Sequence, residues 1–343
     1  MNTTPYTTIV EAHEQRGFAV LPLLSRDECA ALIDQIWDWI ESLGTGTRRG
    51  DPATWGKQWP GHVHGIFKNH GVGQAPFMWR LRTDPRVLGV FAYLWQTTAR
   101  ELLCSFDGCS VMRPRSHWRC KWALEGRLHV DVSLERDVDR RKRLSAQSRL
   151  NTPCVQGLIA LADMDESTGT FACVPGSHKR FRNRAEPPSD WYRLNKADLA
   201  AVGEPVRLRV PAGAMVLWDS RTTHCGAKPM PADKLPERPG VDPSVRWASQ
   251  RGDGFRYVSY VSYLPRRFAT ERERARRRKA FTEGRTTGHW AYPMLLNQKR
   301  LRYDTRQYNV QLPELERVLE PSRVTLARRL IGFDDAPSRA KAS

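Results

Sequence analysis

Apolar residues follow two rhythms along this chain, and the switch between them marks how it is organised. In GFAVLPLLSRDECAALIDQIWDWIESLG a short apolar run precedes Cys29, Leu32, Ile33, Ile36, Trp37 and Ile40, which recur at helical intervals. Ser25 and Glu28 stand in capping-box spacing before that pattern and Gly44 follows it as a C-terminal cap, so a strand and then a helix are predicted. The stretch from Thr45 to Gly73, rich in glycine, proline and charge, reads as irregular, and PFMWRLRTDPRVLGVFAYLWQTT as a second helical region.

The rhythm then changes to short β-rich runs. VQGLIALAD, TFACVPGS, VRLRVPAGAMVLWDS and FRYVSYVSYLP are separated by glycine and proline turns, the pattern of an antiparallel barrel or sandwich. RDVDRRKRLSAQSRLNTP and AKPMPADKLPERPGVDPS are too polar or too proline-rich for core and are expected to be exposed loops. RRFATERERARRRKAFTEGR, residues 266–285, carries nine basic and three acidic residues and reads as a solvated helix, with nucleic-acid contact or nuclear targeting as alternatives. The expected organisation is one domain over residues 1–335: a helix-rich part (1–105), a barrel core (106–265) and a C-terminal helical extension (266–335), followed by a disordered tail (336–343).

Composition narrows the class. Apolar residues at 40% and charged ones at 27% fit a folded protein and exclude a largely disordered one. No apolar run is long enough to span a bilayer, and the N-terminus lacks a basic start with an apolar stretch after it, so neither membrane insertion nor export is expected. Seven cysteines, scattered and never spaced as CxxC, suggest neither a disulfide framework nor a zinc knuckle and read as reduced thiols of a cytoplasmic protein. The net charge of +18 allows a polyanionic partner such as nucleic acid, and equally allows a basic surface without one. Oligomeric state is not legible.

Candidate chemistry begins in GRLHVDVSLERD. On an extended strand His129 and Asp131 share a face, with Val130 turned away, and two ligands on one face can begin a metal site. A third ligand has to come from His13, His62, His64, His70, His117, His178, His224 or His289. His224 stands out, because PAGAMVLWDSRTT supplies a turn and an apolar strand that delivers it near the strand's end. His129, Asp131 and His224 would form a facial triad of two histidines and one carboxylate, which suits non-haem Fe(II) and leaves coordination positions open. His62 and His64 in GHVHG have metal-friendly spacing but no convincing strand, and His178 in GSHK reads as a turn residue. Asp219 and Arg221 point away from His224 on a regular strand and read as a structural ion pair. Thr222, on the face of His224, and Gln156, at the start of a strand, are candidates for lining the cofactor cavity.

The ordered set HVD, IALADMDESTGTFACVPGSHK, GAMVLWDSRTTH and GFRYVSYVSYLP resembles the phytanoyl-CoA dioxygenase family of Fe(II)/2-oxoglutarate oxygenases, and GFAVLPLLSRDECAALIDQI is similar to that family's opening strand and helix. WDSRTTH also resembles the distal-histidine strand of the taurine dioxygenase group. The resemblance implies an α+β fold with a β-dominated core, a double-stranded β-helix (a jelly-roll or cupin-like barrel) flanked by helices. It implies Fe(II), 2-oxoglutarate and O2 as cofactor and cosubstrates, with succinate and CO2 released as an unactivated C–H bond is hydroxylated. Asp131 speaks against halogenation, since related halogenases replace that carboxylate with a small residue. Arg256 matches the position of the arginine that grips the far carboxylate of 2-oxoglutarate, although its interval from His224 is longer than the family's, which leaves Arg246 or Arg221 as alternatives. A small organic substrate is expected; oxidation of a nucleic-acid base and a non-catalytic binding barrel are the alternatives.

Overall fold

In the computed structural model, which describes residues 4–61, 65–117, 128–133, 137–181, 190–236, 254–294 and 314–334, helices and strands alternate along the chain. They are α1 (Thr4–Arg16), β1 (Phe18–Pro22), α2 (Arg26–Ser42), β2 (Ile66–Phe67), α3 (Pro76–Arg82), α4 (Pro85–Leu94), β3 (Leu102–Cys104), β4 (Cys109–Met112), β5 (His129–Val130), α5 (Val138–Gln147), β6 (Val155–Ala160), β7 (Thr170–Cys173), β8 (Tyr192–Arg193), α6 (Lys196–Val202), β9 (Val206–Arg207), β10 (Ala214–Asp219), β11 (His224–Ala227), β12 (Arg256–Pro265), α7 (Glu271–Thr282), α8 (Leu315–Val318) and α9 (Pro321–Ile331).

Two sheets result. The larger runs β1-β10-β6-β12-β4-β2, with β3 also on β12, and the smaller runs β8-β5-β11-β7-β9. Among the described residues every ladder is antiparallel. The barrel expected from the sequence is met in part: the architecture is mixed and rich in antiparallel sheet, but among the described residues the strands form two sheets that no ladder closes into one.

Alternation explains why the central strands are buried on both faces. Met215 and Leu217 of β10, Ile159 of β6, and Tyr257 and Val261 of β12 join the large core that also holds Ile33, Ile36 and Trp37 of α2 and Phe91 of α4. Their neighbours Val216 and Trp218, Leu158 and Ala160, and Val258 turn the other way and pack with Phe171 and Cys173 of the smaller sheet. Side chains of that second set face the space between the sheets, which is where chemistry can be housed.

The capping box of α2 forms as predicted, with Ser25 Oγ accepting from Glu28 N at 3.2 Å and Glu28 Oε2 accepting from Ser25 N at 2.7 Å. Gly44 ends the helix at φ +72°, a conformation that favours glycine.

Two expectations are corrected. Part of the charged stretch expected to be a loop is α5, whose buried side is made of Arg141 and Leu144 at helical spacing. Arg141 pairs with Asp190 at 2.8 Å and lies over the Trp290 ring at 4.4 Å, so an arginine fills the place an apolar residue would hold. The basic segment 266–285 does carry a helix, α7, but its Arg277 is fully buried rather than solvated. It donates to the carbonyls of Ile331, Ala291, Cys104 and Leu330 at 2.6–3.0 Å, tying α9 and the segment after α7 to β3. Arg266, Arg274, Arg278 and Arg285 are engaged with Asp334, Glu271 and Glu283, so much of this segment's positive charge is answered within the chain. No helix among the described residues is long and apolar enough to cross a membrane. Tail residues 336–343 lie outside the described residues.

Candidate metal centre

His129 on β5 and His224 on β11 are register partners, and residues directly opposite in an antiparallel pair project to the same face. Asp131 is two residues beyond His129 and keeps that face, its own N–H donating to the Ser220 carbonyl at 2.9 Å. One ligand atom from each of His129, Asp131 and His224 can be chosen so that all lie within 4.8 Å of one another. His129 Nε2 is 3.6 Å from Asp131 Oδ1, and His224 Nε2 is 3.4 Å from Oδ2.

The surroundings orient these groups. His224 Nδ1 is 2.8 Å from the Thr222 carbonyl, which can only accept, so Nδ1 carries the proton and Nε2 offers its lone pair to the cluster. Gln156 Nε2 donates to Asp131 Oδ2 at 3.2 Å and to Ser220 Oγ at 3.1 Å. Phe171 stacks on the His224 ring from one side. Burial pushes the Asp131 carboxyl up, but the imidazoles of His129, His224 and His289 outweigh it and hold the group well below the usual carboxylate range. An ionised carboxylate between imidazoles is the form that binds a cation.

Arg256 opens β12 and shares the inward face of Val258. It is fully buried and lies close to the smaller sheet, since a Cβ built on Gly226 of β11 would stand 3.7 Å from its Nη1. Its partners are neutral: Nε lies 3.1 Å from Met164 Sδ and Nη1 3.5 Å from Ser110 Oγ, both weak contacts. Burial, the largest influence, lowers its pKa, while Tyr260 acts in the opposite direction. Among the described residues no carboxylate pairs with it. A guanidinium so placed is a ready receptor for an anion.

Other candidates fall elsewhere. Thr222 directs its hydroxyl to the Gly17 carbonyl at 2.9 Å, so its side chain serves the scaffold while its backbone serves His224. Gln156 touches the cluster through Asp131. Arg221 pairs with Asp219 at 2.7 Å, as expected of a structural ion pair, and Asp219 also meets His13 at 3.4 Å. His178 packs beside His13, at 5.5 Å between ring centroids, and His117 faces the Pro52 carbonyl. His62, His64 and Arg246 lie outside the described residues. What the sequence did not single out is His289, whose Nε2 is 3.1 Å from the Asp131 carbonyl, and Trp191, whose ring is 5.9 Å from that of His129. Neither carries a local signal, because both arrive from distant segments.

The donor set fits Fe(II): two imidazole nitrogens and one carboxylate suit non-haem iron better than a closed tetrahedral site or an all-oxygen one. The buried arginine with neutral neighbours fits a carboxylate-bearing cosubstrate in the same interior.

Several known proteins are similar to this chain. The family model described as phytanoyl-CoA dioxygenase matches residues 14–229. Ava biosynthesis cluster protein O of Aspergillus versicolor is 27% identical over 282 residues, 76% of this chain and 78% of its own. The ectoine dioxygenase of Bordetella bronchiseptica is 27% identical over 233 residues, 63% of this chain and 68% of its own. A solved structure of the epimerase SnoN in complex with Fe3+, alpha ketoglutarate and nogalamycin RO is 15% identical with a TM-score of 0.46, covering 77% of this chain and 85% of that one.

Proposed function

The chain belongs to the phytanoyl-CoA dioxygenase family, and from that premise we propose that it is an Fe(II)/2-oxoglutarate-dependent dioxygenase that hydroxylates an unactivated C–H bond of a small organic molecule. The observation that carries this reading is the convergence of His129, Asp131 and His224, from distant parts of the chain, to within 4.8 Å. A pure binding protein has no use for that donor set. The two sheets, facing each other across a shared interior, are read as the halves of a jelly roll within one domain.

In this reading His129 Nε2, a carboxylate oxygen of Asp131 and His224 Nε2 would hold the iron, and Arg256 would grip the far carboxylate of 2-oxoglutarate. When bound, the metal and cosubstrate supply the oxidising chemistry, consuming O2 and releasing succinate and CO2. The chain's own residues bind, orient and exclude water. Gln156 keeps Asp131 turned to the cluster, and the Thr222 carbonyl fixes the usable nitrogen of His224. Phe171, Trp218 and Val258 line the dry interior behind it. No separate acid–base pair is needed for hydrogen abstraction from carbon. A small-molecule substrate is supported by the ectoine dioxygenase among the relatives.

Anaerobic addition of Fe(II) and 2-oxoglutarate tests the reading. A metal-to-ligand charge-transfer band is expected in the wild type and not in His129→Ala; an identical band in both would refute the assignment.

A further inference from the structure

His289 approaches the cluster from the segment after α7, well downstream of the strands that build it and of the residues shared with the family model. Its Nε2 is 3.1 Å from the Asp131 carbonyl and its Nδ1 is 4.0 Å from Asp131 Oδ2. A carbonyl only accepts, so Nε2 carries a proton and donates it.

That bond falls where the sheet gives no support. β5 ends at Val130, so Asp131 has already left the ladder. Its backbone is held at the N–H by the Ser220 carbonyl and at the C=O by His289. The segment that carries the imidazole is itself firmly seated. Thr287 N donates to Phe106 O at 2.8 Å while its hydroxyl accepts from Phe106 N at 3.0 Å. Thr286 Oγ1 accepts from Gly73 N at 3.1 Å, and Arg277 Nη1 donates to the Ala291 carbonyl at 2.6 Å.

We propose that His289 is a positioning residue of the metal centre: by donating Nε2–H to the Asp131 carbonyl, with its ring set beside the carboxylate, it fixes the ligand that the β5 ladder leaves unsupported. The proposal rests on the iron-site reading above. It makes the C-terminal part of the chain, outside the sheets, a required component of the site. Partners of this kind orient the groups that touch the metal, and removing one typically lowers metal affinity about 10- to 100-fold.

The test uses the full chain, titrated anaerobically with Fe(II) and, separately, Co(II), then with 2-oxoglutarate, alongside His289→Leu and His289→Gln. Glutamine presents an amide N–H at nearly the reach of Nε2. The leucine variant is expected to bind both metals about 10- to 100-fold more weakly and to give a shifted or weakened charge-transfer band. The glutamine variant should recover most of the affinity, and the metal-free Tm should match the wild type in both. Wild-type affinity and spectrum in His289→Leu would overturn the proposal. So would equal loss in both variants together with a lowered metal-free Tm, which would make His289 merely structural. If the wild type itself binds neither metal, and so behaves like His129→Ala, the iron-site reading fails and this proposal with it.

Discussion

His129 and His224 face each other across a single antiparallel register step, their ring centroids 4.5 Å apart. The pairing of β5 with β11 therefore sets the spacing of two imidazoles, and a metal has only to bridge what the ladder has already aligned. His224→Ala and Asp131→Ala are each expected to abolish saturable Fe(II) binding, with far-ultraviolet circular dichroism unchanged, because each deletes a ligand and leaves the ladder's backbone bonds in place. Retained stoichiometric binding in either variant would dissociate the metal from this pair of strands.

Arg256 should separate cosubstrate from metal. Arg256→Met is predicted to bind Fe(II) as the wild type does and to lose 2-oxoglutarate affinity about 100-fold, since a charge-assisted bidentate contact is removed. The metal-free variant should melt no lower than the wild type, because methionine replaces a buried charge that has only neutral neighbours. Calorimetric titration and thermal melting, with and without 2-oxoglutarate, check both halves.

Arg277 is expected to behave in the opposite way. Arg277→Met strands the buried carbonyls of Ile331, Ala291, Cys104 and Leu330. The loss should be about 3–4 kcal/mol in urea denaturation, larger than for a typical surface arginine, which changes stability by about 0.5 kcal/mol or less.

A pH effect is expected at the junction of α2 and α4. Arg86 bridges Glu28 at 2.6 Å and Asp84 at 2.8 Å, and its hydrogen bond is the largest cause holding the Glu28 carboxyl down at about 2, against an ordinary 4.5. Because the folded group is the stronger acid, its contribution is complete above the ordinary value and is lost as pH falls from there toward 2. The pair is well exposed, so the effect should stay below about 1 kcal/mol. Glu28→Gln should lower the urea midpoint at pH 7 and make little difference at pH 2.5; an equal gap at both values would contradict the ionic origin.

Burying α5 from Val138 with an arginine, Arg141 on Asp190 and Trp290, shows why part of the molecule was illegible in the sequence. Periodicity finds helices whose inner face is apolar, as α2 is, and finds strands such as β6, β10 and β12 whose runs are apolar on both sides. It misses a helix whose inner face is a cation matched by partners from far along the chain. His129 and Asp131 were legible because alternation along extended backbone is a local fact. His224 was found by its context, although β10 stops at Asp219 and, after a turn, the histidine opens β11 in the other sheet instead of ending the expected strand. The contact of His289 with Asp131 is not, since it depends on where the chain returns after α7. Thr222 shows the same limit: it lies in the turn between β10 and β11, not on a strand with His224, and its hydroxyl is claimed by Gly17.

The pairing of β1 with β10 sets Phe18 against Trp218, so the earlier of the two strands receives its partner only after the whole stretch between them has been translated. A ribosome-bound or truncated copy ending before β10 carries an apolar strand with no neighbour on the side that β10 later fills. Such contacts between distant stretches slow folding and leave unfinished chains prone to stick to one another. Heterologous synthesis of this protein should therefore benefit from slower elongation or added chaperone capacity, whatever the strength of its finished interior.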